Sequence, residues 1–293
     1  MAETPVRQLE PHFGDIQHHY DLSDDFYGLF LDPSRTYSCA YFDRSDMTLE
    51  EAQSAKIDLA LGKLGLRSGM TLLDIGCGWG STMVRALRDY DVNVIGLTLS
   101  RNQARHVRAL LANDPSPRSK RVLLRGWEQF DEPVDRIVTI GAFEHFGRDR
   151  YSRFFQMAKA VLPSDGVMLL HSIVRPSNED YAERNLPIRM RHVRFMKFIQ
   201  TEIFPGGDLP QPQDIADHAA AAGFALQRTQ SLRMHYARTL QCWAANLEDN
   251  REQALAIQPR EVYERYLRYL SGCVEPFREG YIDVCQFTLV QTG

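Results

Sequence analysis

From Met70 to Ser172 the chain repeats one pattern, a short apolar run followed by a helical stretch, and that rhythm admits few folds. Thr71 to Ile75 precedes a helix from Ser81 to Tyr90, and Val92 to Thr98 precedes a helix from Asn102 to Leu111. Runs at Val122 to Leu124 and Asp135 to Ile140 follow, then a helix from Tyr151 to Val161 and a run at Val167 to Ser172. Runs that are apolar throughout suit strands covered on both faces, so the alternation predicts βαβ units and a parallel sheet. Upstream, Thr48-Leu49-Glu50-Glu51 is a capping box that starts a helix through Ile57 and Leu61, ending near Gly65.

Beyond Ser172 the rhythm breaks. Residues 173–240 read as a mostly helical insertion, in which Met190, Val193, Met196 and Ile199 recur at helical spacing between Arg189 and Gln200. A turn at Phe204-Pro205-Gly206-Gly207, an extended Phe224 to Leu226, a helix around Pro259 to Leu270 and a strand-like Val284 to Val290 complete the chain. The organisation expected is a single α/β domain over residues 1–293: an N-terminal helical region to about 65, a core over about 66–172 and a helical cap over about 173–240.

Composition removes several functional classes. With 44% hydrophobic and 25% charged residues the chain is that of a folded globular protein. A net charge of −4 gives no general affinity for nucleic acid phosphates. No apolar run approaches the roughly 20 residues of a membrane span, and Met1 to Glu10 lacks a secretory core, so a cytoplasmic location is expected. Cys39, Cys77, Cys242, Cys273 and Cys285 are odd in number and scattered, which reads as reduced thiols with no metal site.

The motif Leu72-Leu73-Asp74-Ile75-Gly76-Cys77-Gly78-Trp79-Gly80 puts a glycine-rich turn between the first strand and the first helix, where backbone approaches a ligand closely and helix amides are open. A dinucleotide site would place a third glycine where Ser81 stands and an acid near the end of the second strand, which instead reads Thr98-Leu99-Ser100. Nicotinamide binding is therefore disfavoured.

Several further motifs accompany this turn: Tyr37-Ser38-Cys39-Ala40-Tyr41-Phe42, Gly96-Leu97-Thr98-Leu99-Ser100, Gly126-Trp127, Gly141-Ala142-Phe143-Glu144-His145-Phe146, Glu202-Ile203-Phe204-Pro205-Gly206-Gly207, His235-Tyr236 and Gly272-Cys273. Together, and from His19 onward, the chain resembles the S-adenosylmethionine-dependent cyclopropane fatty acid synthases, in particular the mycolic acid cyclopropane synthases. The resemblance implies a class I methyltransferase (Rossmann-like) fold, a mostly parallel seven-stranded sheet with a helical cap insertion. It also implies S-adenosyl-L-methionine as cofactor. Tyr37, Ser38 and the turn Leu72, Asp74, Ile75, Gly76, Cys77, Gly78, Trp79 and Gly80 would cradle its methionine part. Thr98, Leu99, Ser100 and Gln103 would reach the ribose, while Trp127 and Glu128 would flank the adenine.

The reaction so implied is addition of a methylene to a cis double bond of a long acyl chain. An isolated alkene is a weak nucleophile, so the site must hold it in line with the activated methyl and exclude water from the carbocation that follows. Faces of Tyr20, Tyr37, Phe143, Phe146 and Tyr236 are candidates to stabilise that cation. Ring closure needs a base at the added methyl. By resemblance this is a bound bicarbonate, held by the Cys39 amide, the Ile140 carbonyl, Glu144, His171 and Tyr236, with His145 nearby. Cys273 is carried as a candidate nucleophile, although the mechanism needs no covalent protein intermediate.

The helix from Arg189 to Gln200 is expected to line an acyl tunnel while Arg184, Arg189, Arg191, Arg194 and Lys197 face outward, toward an acyl carrier protein or transiently an anionic membrane surface. Gly141 with the Glu144-His145 pair resembles the cyclopropanating members of the family, and the resemblance implies cyclopropane formation. Methyl-branch or hydroxylated products of the same family, a small-molecule methyltransferase and a non-catalytic cofactor-fold module are the competing readings.

Overall fold

The structure, a computed structural model, describes residues 24–205 and 207–292. Seven strands form one sheet: β1 (Thr71–Ile75), β2 (Asn93–Thr98), β3 (Lys120–Leu124), β4 (Arg136–Ile140), β5 (Val167–Val174), β6 (Phe224–Ser231) and β7 (Asp283–Gln291), in the order β3-β2-β1-β4-β5-β7-β6. The first five pair in parallel and β7 runs antiparallel to both β5 and β6. The strand order reverses between β1 and β4, and ligands of such sheets bind beyond the carboxyl ends of the strands at that switch point. The glycine turn after β1 and the Gly141 turn after β4 both open there.

Helices start and stop where local chemistry dictates. Helix α1 spans Asp24–Gly28 and α2 Leu49–Leu61. Thr48 caps α2 with a full capping box: its hydroxyl accepts from the Glu51 amide, and the Glu51 carboxylate accepts from the Thr48 amide at 2.8 Å. Helix α3 (Ser81–Tyr90) begins at Gly80, whose φ of +89° only glycine adopts easily. The helices α4 (Arg101–Ala112) and α5 (Tyr151–Val161) complete the βαβ units, burying Val107 and Leu111 on one side and Phe154 and Phe155 on the other.

The C-terminal half differs from the sequence expectation in three respects. The segment 173–240 is not helical throughout. After α6 (Asn178–Glu183), α7 (Met190–Phe198), a π-turn at Ile199–Ile203 and α8 (Pro212–Ala221), the chain re-enters the sheet as edge strand β6. Phe224 to Leu226, the extended stretch expected, opens it, and the polar residues 227–231 that continue it carry no apolar run. Second, a helix absent from the sequence reading, α9 (Arg233–Asp249), carries the cap past residue 240 and is followed by α10 (Arg251–Ile257). Third, the helix expected to end near Leu270 continues as α11 from Arg260 to Glu279. Tyr266, Tyr269, Leu270, Cys273, Val274 and Phe277 keep the buried spacing across Ser271-Gly272. A Cβ at Gly272 would lie 2.4 Å from the Phe195 ring, so the glycine lets α7 approach α11 closely. In the N-terminal region, helices among the described residues cover only α1 and α2, and residues 29–48 connect them without helix.

Three main cores result among the described residues. Two flank the sheet, one against α5 and the other against α3 and α4; the third joins α1, α9 and α11 through Phe26, Phe30, Tyr236, Trp243, Tyr266 and Phe277, and forms a lid over the carboxyl ends of the strands.

Candidate active site

Two cavities meet beneath this lid. The first is lined by Tyr37, Ser38, Asp74, Ile75, Gly76, Cys77, Gly78, Trp79, Thr98, Leu99, Gln103, Trp127, Glu128 and Ile140. The second, mostly apolar, is lined by Tyr37, Ser38, Cys39, Gly141, Glu144, His145, His171, Tyr236 and Cys273, together with Phe195, Met196, Ile199, Phe204, Tyr269 and Phe277. Tyr37, Ser38, Gly141 and His145 belong to both, so they form the partition between the cavities.

The first cavity is built by backbone. Gly76 (φ +78°) and Gly78 (φ +53°) bend the chain away from β1, and the Gly76 and Cys77 amides both donate to the Leu97 carbonyl, at 3.0 and 2.9 Å. A Cβ at Gly76 would meet Ala142 Cβ at 2.6 Å, so the two loops touch where only glycine fits. At the β2 end, the Thr98 hydroxyl donates to Gln103 Oε1 at 2.7 Å, turning the Gln103 carboxamide nitrogen into the donor on offer. Trp127 is 4% exposed and tilts against Phe146, while Arg150 donates to Glu128 Oε1 at 3.0 Å and the buried Oε2 has no hydrogen-bond partner. Asp74 Oδ2 is likewise buried without a partner. A cradle of bent glycines, two orphaned carboxylate oxygens and an aromatic wall fit a ligand with a cationic amino group, a polar sugar and a flat base, which is the make-up of S-adenosylmethionine.

Three of the expected cofactor residues do not line this cavity. Leu72 is buried in the core beneath the sheet, Gly80 serves as the turn into α3, and the Ser100 side chain caps α4 by accepting from the Gln103 amide. Two expected aromatic faces are also elsewhere. Phe143 stacks on Tyr151 in the main core, at 4.3 Å between centroids, and Phe146 faces the first cavity beside Trp127. Ile140 lines the first cavity and not the second. Tyr20 lies outside the described residues.

Sequence reasoning missed the groups that hold the partition. Helix α2 turns Gln53 and Lys56, both essentially inaccessible, toward residues 36–38. Gln53 Nε2 donates to the carbonyls of Thr36 and Ser38, and Lys56 Nζ donates to Ser38 Oγ at 2.7 Å. Two polar residues on the same helix face as Ala52, Ile57 and Ala60 were the available signal, because such groups are buried only when paired.

Electrostatics sort the second cavity. Burial raises the Glu144 carboxyl to about 7, even though the Ile173 amide donates to its Oε1 at 2.6 Å, and its other oxygen has no partner. Burial lowers His145 to about 4; burial, reinforced by Lys56 and Lys63, holds His171 well below the usual imidazole range. Tyr236 and Cys39 are pushed far up and Cys273 up to about 12, again by burial. Near neutral pH the histidines are thus uncharged, the tyrosine and thiols protonated, and Glu144 is the lining group poised to exchange a proton. The Cys273 environment opposes a thiolate nucleophile.

Residues 7–287 match the model of the mycolic acid cyclopropane synthetase family. The chain belongs to that family. As a member it is an S-adenosylmethionine-dependent methyltransferase of the class I fold. Over 281 residues it is 64% identical to cyclopropane mycolic acid synthase 1 of Mycobacterium tuberculosis, covering 96% of this chain and 98% of that one. The solved structure of the cyclopropane synthase MmaA2 from Mycobacterium tuberculosis superimposes with a TM-score of 0.95 at 61% identity, covering 97% and 99% of the two chains. Mycolic acid cyclopropane synthase CmaA1 complexed with SAH and CTAB gives 0.94 at 64% identity, over 97% of this chain and 99% of that one. Coclaurine N-methyltransferase, at 21% identity and a TM-score of 0.75 over 94% and 81% of the chains, shares the fold alone.

Among the described residues, no helix is long and apolar enough to cross a membrane, and no three histidine, cysteine or acidic side chains gather to hold a metal ion.

Proposed function

We propose that this methyltransferase converts a cis double bond of a long acyl chain, of mycolic acid precursor type, into a cyclopropane. The observation that carries the reading is the shared partition: a polar cavity fit for the cofactor abuts, through Tyr37, Ser38, Gly141 and His145, an apolar cavity whose wall holds Glu144. Relatives named cyclopropane mycolic acid synthase, and one that binds the surfactant CTAB, support an acyl occupant. When bound, S-adenosylmethionine supplies the methyl group, and bicarbonate supplies the base for its deprotonation.

In this reading the chain's own residues bind, orient and exclude water. Phe195, Phe204, Tyr269 and Phe277 wall the alkene off from solvent, and Tyr37 and Tyr236 supply the aromatic faces for a developing cation. Tyr236, kept protonated, and His171 offer hydrogen bonds to an anion beside Cys39, while Glu144 accepts the proton passed outward. The acyl chain reaches the site on an acyl carrier protein. Residues 187–200 contain Arg189, Arg191, Arg194 and Lys197 and no acid, all four cations are exposed, Met190 stands exposed among them, and Ile188 and Val193 stand exposed at the groove that opens from the apolar cavity. Of the four periodic residues expected to line the tunnel, Met196 and Ile199 line it, Val193 is on its lip and Met190 is exposed away from it.

Cofactor bearing a fully deuterated methyl group, incubated with the enzyme and an unsaturated long-chain acyl substrate, tests this. Mass spectrometry of the lipid is expected to show two deuterons retained, one lost and no remaining unsaturation. Retention of all three would sink the ring-closing step.

A prediction for the cofactor follows from Asp74. Burial raises its carboxyl to about 7, with Lys56 holding it lower than burial alone would. Below that pH the carboxyl is neutral and cannot pair with a cationic amino group, so S-adenosylhomocysteine is expected to bind more tightly as pH rises from 6 to 8. In Lys56→Met the midpoint moves upward, and affinity at pH 7 falls roughly tenfold as Ser38 also loses its donor. Calorimetric titration across that range measures both, and a pH-independent affinity in the unsubstituted enzyme removes Asp74 from the binding scheme.

A further inference from the structure

We infer that Lys63 and Gln286 set the tautomer of His171, so that this imidazole presents an N–H and not a lone pair to the apolar cavity. The inference rests on the proposed function only for what that N–H meets. In the sheet, His171 on β5 pairs with Gln286 on β7, and Gln286 pairs with Gln230 on β6, so the three stand in one row across adjacent strands. Lys63, just beyond α2, closes the row. Its Nζ donates to Oε1 of Gln230 and to Oε1 of Gln286, each at 2.6 Å.

A lysine side chain there acts only as donor, which settles how the Gln286 carboxamide is turned: oxygen toward Lys63, nitrogen toward the histidine. Gln286 is fully buried, and its Nε2 lies 3.3 Å from His171 Nδ1. An amide nitrogen only donates, so Nδ1 accepts. His171 is 1% exposed and kept neutral by that burial, and its single ring proton is therefore on Nε2. The ring lines the cavity shared with Glu144, Cys39 and Tyr236. An N–H there is a donor for a bound anion and leaves proton acceptance to Glu144. Without Lys63 the Gln286 carboxamide is free to turn over; in the turned form it accepts from Nδ1–H, and Nε2 becomes an acceptor that competes with Glu144 for the proton. Lys63 and Gln286 are thus positioning residues, acting through His171.

The test uses the full chain labelled with 15N-histidine and read by long-range 1H–15N correlation, His171 being the signal lost in His171→Asn. The unsubstituted enzyme is expected to show the Nε2–H form. Gln286→Glu keeps an ion pair with Lys63 but can only accept from the ring, so it is expected to invert the signal to Nδ1–H. Lys63→Met, at a half-buried position that tolerates the apolar stem, is expected to show both tautomers, and Lys63→Arg to restore one. An Nδ1–H or doubly protonated His171 in the unsubstituted enzyme, or a Gln286→Glu spectrum identical to it, overturns the inference. Turnover is read separately. With the tautomer inverted, a fall of about tenfold or more with unchanged KM for the cofactor supports both readings. Inversion with full turnover upholds the tautomer assignment and removes His171 from the proposed anion site.

Discussion

Glutamine in place of Glu144 is expected to lower turnover roughly a hundredfold or more, the usual loss when a proton acceptor is removed, without changing the affinity for S-adenosylhomocysteine. Oε1 is held by the Ile173 amide, a bond the carboxamide oxygen can keep, whereas an NH2 group replaces the partnerless Oε2 and cannot take up a proton. Glu144 lines the apolar cavity and not the cofactor cavity, which separates the two effects. The pH profile supplies the sign. With its carboxyl raised to about 7, Glu144 is neutral below that pH and ionised above it, so turnover should climb through about 7 and level off. The variant should show no such limb. Stability runs the other way: a carboxyl that binds its proton more tightly when folded makes the fold lose stability as pH rises from 4.5 to about 7. Melting temperatures of Glu144→Gln should therefore gain on the unsubstituted enzyme across that window and keep a constant lead above it. A variant that retains turnover would show that proton acceptance lies elsewhere.

Alanine at Gly76 is expected to abolish cofactor binding and cost about 2–5 kcal/mol of stability. The sum comes from about 1–2 kcal/mol for a side chain at φ +78° and about 1–3 kcal/mol for overpacking, since the added Cβ lands 2.6 Å from Ala142 Cβ and that methyl cannot rotate away. A second substitution, Ala142→Gly, removes the opposing methyl. The pair should recover the overpacking part and none of the conformational part, a coupling that a double-mutant cycle in urea isolates. Additive losses would show that the two loops do not press on each other.

How much of this was legible in the chain depended on whether a residue's neighbours in sequence are also its neighbours in space. The βαβ half was legible because apolar runs, the Thr48 capping box and the glycine turn are local devices, and the family motifs located both rims of the site. Strand β6 was legible only in Phe224 to Leu226, since the rest of this edge strand is polar and lacks the apolar run, and α9 was missed although Tyr236, Leu240, Trp243 and Leu247 recur at helical spacing. The misplaced aromatics have the same origin. Phe143 sits one residue from Glu144, yet the 3-10 turn at Phe143–His145 sends them to opposite sides, one into the core and one into the cavity. Lys56 and Lys63 look like surface lysines in sequence; only the partners brought by residues 38, 230 and 286 make them part of the site.

Strand β7 has a consequence for the order in which the molecule is assembled. It lies between β5 and β6 although it follows both along the chain. While the polypeptide is being made, β5 and β6 have a gap between them until residues 283–291 leave the ribosome, and every contact that closes the gap is long-range. The residues that line the cofactor cavity, the last of them Phe146, leave the ribosome well before that moment. Methyl-donor binding can thus precede lipid chemistry during biosynthesis, and the apolar cavity is sealed only when Gln286 arrives beside His171.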